Sequence, residues 1–149
     1  MSVKPIPDGY HTVTPYLRVA GVAALIDFLT QAFDAKQIER MARPDGTVMH
    51  AEVKIGDSVV MMGEPTGDMA PLPAMIYLYL ADTDAAYKRA MEAGATSLME
   101  PANQFYGDRN AGVKDPCGNL WWIATRVEDV PPEELTRRSE AFLKKQAGH

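Results

Sequence analysis

The feature that most constrains the fold is an internal repeat. AEVKIGDSVVMM at 51–62 aligns with AGVKDPCGNLWWIA at 111–124, an offset of 60 residues from position 51 to position 111. YLRV at 16–19 matches YLYL at 77–80 at an offset of 61, and Ala24 to Ala35 resembles Ala85 to Ala95. A repeat of this length means one supersecondary unit used twice, because a single copy cannot bury its own apolar face. Around the repeat the chain must build two like modules.

The elements of each copy follow from periodicity. Thr12 to Val19 alternates in period two and contains Pro15, which suits a strand end or a sheet edge. Val22, Leu25, Ile26, Leu29 and Phe33 form one helical stripe, ended by Asp34-Ala35. Lys36 to Ala42, Thr47 to Ile55 and Ser58 to Met62 read as strands, with Pro-Asp-Gly at 44–46 and Gly56-Asp57 as turns. Residues 64–73 hold three prolines and a glycine and read as a linker. The pattern then restarts. Met75 to Leu80 is a strand; a helix capped by Asp82 or Thr83 runs to Ala93, with Ala86, Ala90 and Met91 inward and Gly94 just beyond its end. Thr96 to Met99 and Arg109 to Lys114 are strands, followed by the turn Asp115-Pro116-Cys117-Gly118 and a strand carrying Trp121 and Trp122. A helix with proline and acids first and lysines last spans about 131–146.

The expected fold class is therefore α+β: two tandem βαβββ modules, about 12–63 and 74–126, forming curled mixed sheets around a cavity, plus a C-terminal helix. The whole chain is one domain. Alternation assigns Leu17, Val19, Met49, Val53, Ile76, Leu78, Leu80, Trp121 and Ile123 to the helix-packed faces. It assigns Thr14, Tyr16, Arg18, His50, Glu52, Met61, Met75, Tyr77, Tyr79, Leu120 and Trp122 to the cavity.

Composition narrows function. With 46% apolar residues, 23% charged residues and a net charge of -5, the chain suits a soluble globular protein. It has no basic tract to hold nucleic acid and no apolar run long enough to span a membrane. Cys117 is the only cysteine, so no intrachain disulfide forms; this and the absence of a signal-like apolar run point to the cytoplasm.

The βαβββ order repeated, with a DPxG turn before the last strand, resembles the glyoxalase / bleomycin-resistance / extradiol-dioxygenase (vicinal oxygen chelate) superfamily. TPYLRVAGVAALIDFLTQAF, FYGDRNAGVKDPCGNLWWIATRVEDV and PPEELTRR resemble its PhnB-like branch, and the similarity covers Thr12 to about Arg138. The resemblance implies metal-ligand positions at Thr14, at or beside Met61, near Met75 and at Trp122. None is imidazole, carboxylate or thiolate. The expectation is no metal and no cofactor at that site. The resemblance also implies pairing of modules between two chains, hence a homodimer.

Two functional readings follow. One is a protein that binds a small planar or hydrophobic molecule in an aromatic cavity, of the drug-binding or resistance type, with His50, Met61, Met75, Tyr77, Tyr79, Tyr106 and Trp122 as ligand-binding residues. The other is a lyase- or dioxygenase-like enzyme, metal-independent or with a rearranged metal site using His50, Glu52 and Glu64. For catalysis the candidates are His50, Glu52 and Arg109: a histidine beside a carboxylate suits a general base or a plain hydrogen-bonded pair. Arg109 suits a clamp on a substrate anion or a salt bridge to Asp108 or Glu128. Asp115 reads as a turn residue, Cys117 as an unreactive thiol, and His11 and His149 as solvated.

Overall fold

The structure, a computed structural model, describes residues 2–148; His149 lies outside them. The elements run β1 (Tyr16–Arg18), α1 (Val22–Phe33), β2 (Lys36–Ala42), β3 (Val48–Ile55), β4 (Ser58–Gly63), β5 (Met75–Tyr79), α2 (Thr83–Glu92), β6 (Thr96–Asn103), β7 (Asp108–Lys114), β8 (Leu120–Arg126) and α3 (Pro132–Ala147). This is βαβββ twice plus a terminal helix. Each copy makes a four-stranded mixed sheet of the same topology, β1-β4-β3-β2 and β5-β8-β7-β6, with its first strand parallel to its last.

Local chemistry sets the helix ends. Gly21 enters α1 at φ +80°, and its N–H donates to Glu64 Oε1 at 2.9 Å. Asp34 leaves the helix in the left-handed region at φ +55°. The whole stripe Val22, Leu25, Ile26, Leu29 and Phe33 is buried, each large side chain contributing about 1.5–3 kcal/mol relative to exposure. In α2, Asp82 accepts from the Ala85 N–H at 3.1 Å, and Thr83, Ala86 and Ala90 are buried. Met91, expected inward, is exposed. The buried side chains of α2 are small, which lets it lie against α1; Arg89 Nε reaches Ala32 O at 3.2 Å.

The two helices and the helix-facing sides of both sheets share one core. Phe33 of α1 meets the fully buried Trp121 of β8 with ring centroids 5.5 Å apart. The sheets do not close around a common cavity. Each keeps its own depression on the face away from the helices, lined by residues of its own half of the chain.

Met49, expected on the helix-packed face, is also placed otherwise. Met41 pairs with His50 and Ala42 with Val48, so Met49 is the extra residue of a β-bulge. The bulge flips the local facing: Val48 is buried and Met49 is 48% exposed. The first strand is also shorter than its alternating pattern, because Pro15 precedes it and only Tyr16–Arg18 pair with β4. The linker returns along β1, where the Leu72 N–H donates to Arg18 O at 2.7 Å and covers part of the free edge.

Candidate functional site

The site that gathers most of the expected ligand-binding residues lies on the open face of the second sheet. Alternation along β7 sends Asp108, Asn110 and Gly112 to this face, and Arg109, Ala111 and Val113 toward α2 and the core. Trp122 stands opposite Gly112 across β7 and β8. A Cβ at Gly112 would lie 2.5 Å from the six-membered ring of Trp122, so the indole rests directly over the glycine. Met75, Tyr77, Met99, Gln104, Tyr106, Asn110 and Trp122 enclose a depression of about 300 Å³, at the lower end of small-molecule sites.

Beneath the aromatic rings runs a polar chain. Asp108, 2% exposed, accepts from Tyr77 Oη at 2.7 Å and Tyr79 Oη at 2.9 Å, and Arg126 Nη1 stands 3.4 Å from its other oxygen. Burial, with the neighbouring Asp108 adding to it, pushes the Tyr77 phenol well above its ordinary range. The hydrogen bond to Asp108 raises that of Tyr79. Both phenols therefore remain donors. Asn110 Nδ2 donates to Tyr77 Oη at 3.1 Å and Tyr106 Oη at 2.8 Å, and Asn110 Oδ1 accepts from Gln104 Nε2 at 3.0 Å.

Gln104 and Tyr106 sit on the turn between β6 and β7, which closes with the Gly107 N–H on Gln104 O at 3.2 Å. Gly107 is required there: φ is +99°, and a Cβ would lie 2.3 Å from Glu128 O. The third turn residue, Phe105, faces α3. Its ring meets Phe142 at 4.9 Å, and Arg138 Nη1 donates to Phe105 O at 3.1 Å while pairing with Glu128. The terminal helix thus braces the turn that carries two site residues.

The first sheet presents a different face. His50 Nε2 is 2.8 Å from Glu52 Oε2, and His50 Nδ1 is 3.3 Å from Tyr16 Oη. Glu52 is 6% exposed, and Tyr10 hydrogen-bonds its other oxygen. The depression here, about 430 Å³, is lined by Glu52 and Met61 but also by Pro5, Ile6, Pro7, Tyr10 and His11 of the N-terminal arm. His11 contacts Asp57 O at 3.1 Å, so it is held although exposed.

Burial opposes ionisation of Glu52, yet hydrogen bonds from Tyr10 and His50 outweigh it and hold the carboxyl below its usual value. A depressed carboxylate adds stability at neutral pH that is lost as pH falls through its folded-state value. Thermal melts in increasing acid should therefore drop more steeply for the wild type than for Glu52→Gln. Parallel curves would show that the contact contributes nothing.

Of the expected ligand-binding residues, Met75, Tyr77, Tyr106 and Trp122 come together. Tyr79 borders them through Asp108 and is 63% exposed, whereas His50 and Met61 lie on the other sheet. Met99, Gln104, Asn110 and the platform Gly112 are additions; alternation through DRNAG, started at Asp108, is the signal that reveals two of them. Arg109 pairs with neither Asp108 nor Glu128. It makes a two-pronged bridge to Asp84 of α2 at 2.7 and 2.8 Å, on the helix side of the sheet. Arg109→Ala is accordingly expected to leave any ligand titration at the Trp122 face unchanged, and a lost titration in a folded variant would return Arg109 to the site.

Glu64 does not join His50 and Glu52. Its carboxylate accepts from the Gly21 and Val48 N–H groups at 2.9 and 2.5 Å. The third group beside them is Glu39, paired with Glu52 across β2 and β3; one donor atom each from Glu39, His50 and Glu52 lies within 4.8 Å of the others. Burial, helped by nearby Asp115 and Glu64, pushes the Cys117 thiol up to about 11.

The family model of the Glyoxalase/Bleomycin resistance protein/Dioxygenase superfamily matches residues 10–123. The chain belongs to this superfamily. It is 34% identical over 134 residues to an uncharacterised protein of Mycobacterium bovis, covering 83% of this chain and 88% of that one. An uncharacterised protein of Mycobacterium tuberculosis H37Rv matches at the same identity, covering 83% and 79%. Among solved structures, TioX from Micromonospora sp. ML1 is similar with a TM-score of 0.67 at 20% identity, covering 78% of this chain and 99% of that chain. A glyoxalase/bleomycin resistance protein/dioxygenase from Nocardioides gives 0.60 at 18%, covering 89% and 90%. These two likenesses carry the fold.

The positions at which the family resemblance implies metal ligands hold a poor donor set. Thr14 spends its hydroxyl on His11 O at 3.2 Å, Met61 and Met75 are thioethers on different sheets, and Trp122 is an indole over glycine. These groups do not fit a divalent cation that takes imidazole or carboxylate. Among the described residues, no helix is long and apolar enough to cross a membrane.

Proposed function

We propose that this superfamily member binds a planar, largely apolar small molecule on the Trp122 face of its second module, in the manner of a drug-binding or resistance protein. The observation that carries this reading is the indole laid over Gly112 at the floor of a depression rimmed by Met75, Met99, Tyr77 and Tyr106. A flat aromatic floor stacks planar ligands, and thioethers adapt to their outlines. Assignment to the PhnB-like branch and to the cytoplasm rests on sequence alone.

The two tryptophans give the test its internal reference. Trp121 is fully buried and bonded to Asp115, whereas Trp122 lines the depression. Titration with a panel of planar aromatic compounds should shift the indole N–H resonance of Trp122 and leave that of Trp121 in place. No shift with any compound overturns the reading.

The partner expected is a second copy. Tyr16, Met75, Tyr77 and Tyr79 are exposed on the open sheet faces, an apolar surface suited to cover by another protomer. Light scattering should give twice the 16.4 kDa chain mass; a monomer would remove the dimer from this account.

A second reading rests on Glu39, His50 and Glu52, whose donor atoms converge. It is an enzyme with a divalent cation moved from the superfamily position to β2 and β3. Elemental analysis of protein purified without chelator, alongside His50→Ala, decides it; equal metal contents in the two sink the idea.

A further inference from the structure

The geometry points to a ligand with a lactam-type edge, a carbonyl beside an N–H, bound by Tyr106 and Gln104 while its plane stacks on Trp122. This rests on the planar-ligand reading of the same depression and specifies the chemistry of the ligand's rim.

The argument is one of hydrogen-bond direction. A carboxylate only accepts, so Tyr77 must donate its single hydrogen to Asp108. Tyr77 Oη is then an acceptor for Asn110, which fixes the amide with Nδ2 toward Tyr77. The second Nδ2 hydrogen goes to Tyr106 Oη, and Oδ1 is left toward Gln104. Gln104 must therefore offer Nε2 to Asn110. A flipped Asn110 would ask Tyr77 to donate twice, which a phenol cannot do.

Two atoms remain at the end of this chain. Tyr106 accepts from Asn110, and among the described residues its own O–H donates to nothing. Gln104 uses Nε2 on Asn110 and Met99, and among the described residues its Oε1 accepts nothing. Both side chains are half-buried and line the depression, and among the described residues no buried side-chain polar atom lacks a partner, so the unpartnered Gln104 Oε1 is open to solvent and the Tyr106 hydroxyl lies in the same lining. The site presents one donor and one acceptor whose polarity is dictated from beneath by Asp108. Asn110 and Asp108 are positioning residues; Tyr106 and Gln104 would touch the ligand. A ligand that answers both offers an acceptor to Tyr106 and a donor to Gln104. Rings with only acceptors leave Gln104 Oε1 unpaired on desolvation, and such mismatches cost affinity.

Calorimetric titration of the full chain with four probes tests this: 2-quinolone, N-methyl-2-quinolone, 2-methoxyquinoline and naphthalene. The expected result is tightest binding by 2-quinolone, with each blocked derivative weaker by about fivefold or more, the worth of one neutral hydrogen bond. Gln104→Met should erase most of the preference over the two blocked derivatives, which lack the N–H; Tyr106→Phe should weaken 2-quinolone and N-methyl-2-quinolone alike, and the Trp121 indole N–H resonance, held by Asp115, should show that both variants fold. Equal binding of all four probes, or a preference that survives both substitutions, overturns the lactam edge and leaves the aromatic site standing. No binding by any probe overturns both.

Discussion

Asp115→Ala should lower stability by about 3–5 kcal/mol, the range reached when buried donors lose their partner. The side chain is 4% exposed and accepts four hydrogen bonds. Oδ1 takes the Cys117 and Asn119 N–H groups at 2.8 and 3.0 Å. Oδ2 takes Asn119 Nδ2 at 2.9 Å and Trp121 Nε1 at 2.7 Å. Alanine leaves those donors facing a methyl group with no room for bulk water. The damage spreads, because the buried Asn119 in turn accepts from the Ala74 N–H at 3.0 Å, just before β5, and Trp121 packs on Phe33. One carboxylate thus ties the β7–β8 turn to the start of β5 and to the core under α1. Thermal denaturation should show a fall of roughly 10 °C for a chain of this size. Asp115→Asn should recover only part, because each oxygen takes two donors and the NH₂ that replaces one of them must face both. A fall of under about 2 °C for the alanine variant, less than 1 kcal/mol, would show that the turn holds without the carboxylate.

Sequence reading reached this turn but gave Asp115 only a local role, and the reason is general to the chain. Period and spacing report which face a residue takes on its own element. They located the α1 stripe, both copies of βαβββ and the shared face of Tyr77 and Trp122, since these depend on neighbours a few residues away. They failed where an element departs from regularity, as at the Met49 bulge, which no alternation rule announces. They also failed where a polar side chain chooses among distant partners. Arg109 had acids nearby in sequence at 108 and 128 but bonds Asp84, 25 residues away, because β7 turns its odd positions toward α2. Glu64 looked available to His50, yet two backbone N–H groups at the start of α1 and of β3 claim it. Tyr10 reaches Glu52 from an arm that carries no periodic signal. The candidate site was half legible for the same reason: its apolar floor follows from alternation, while its polar rim on the 104–107 turn depends on how α3 and Glu128 brace that turn.

The floor itself supplies the second large effect. Trp122→Ala should weaken planar ligands by about 30- to 100-fold, since it removes an apolar aromatic surface worth about 2–3 kcal/mol when covered. That result alone would not separate loss of the indole from collapse of the depression, and Gly112→Val makes the separation. Gly112 has no positive φ, and valine suits a strand, so the backbone itself tolerates the change. What it does not tolerate is the Trp122 ring, whose atoms lie 2.5, 2.7 and 2.8 Å from the new Cβ. The indole must swing off the sheet, filling the space a ligand would use. Gly112→Val is therefore expected to reduce affinity about as much as Trp122→Ala while keeping the indole and a cooperative melt, and Trp122→Phe to retain an intermediate affinity. The indole N–H of Trp121, bonded to Asp115, should hold its resonance in all three variants and report an intact core. Wild-type affinity in Gly112→Val would mean that the ligand does not need the indole flat on the sheet, and the stacking floor would then have to be sought elsewhere among Tyr77 and Tyr106.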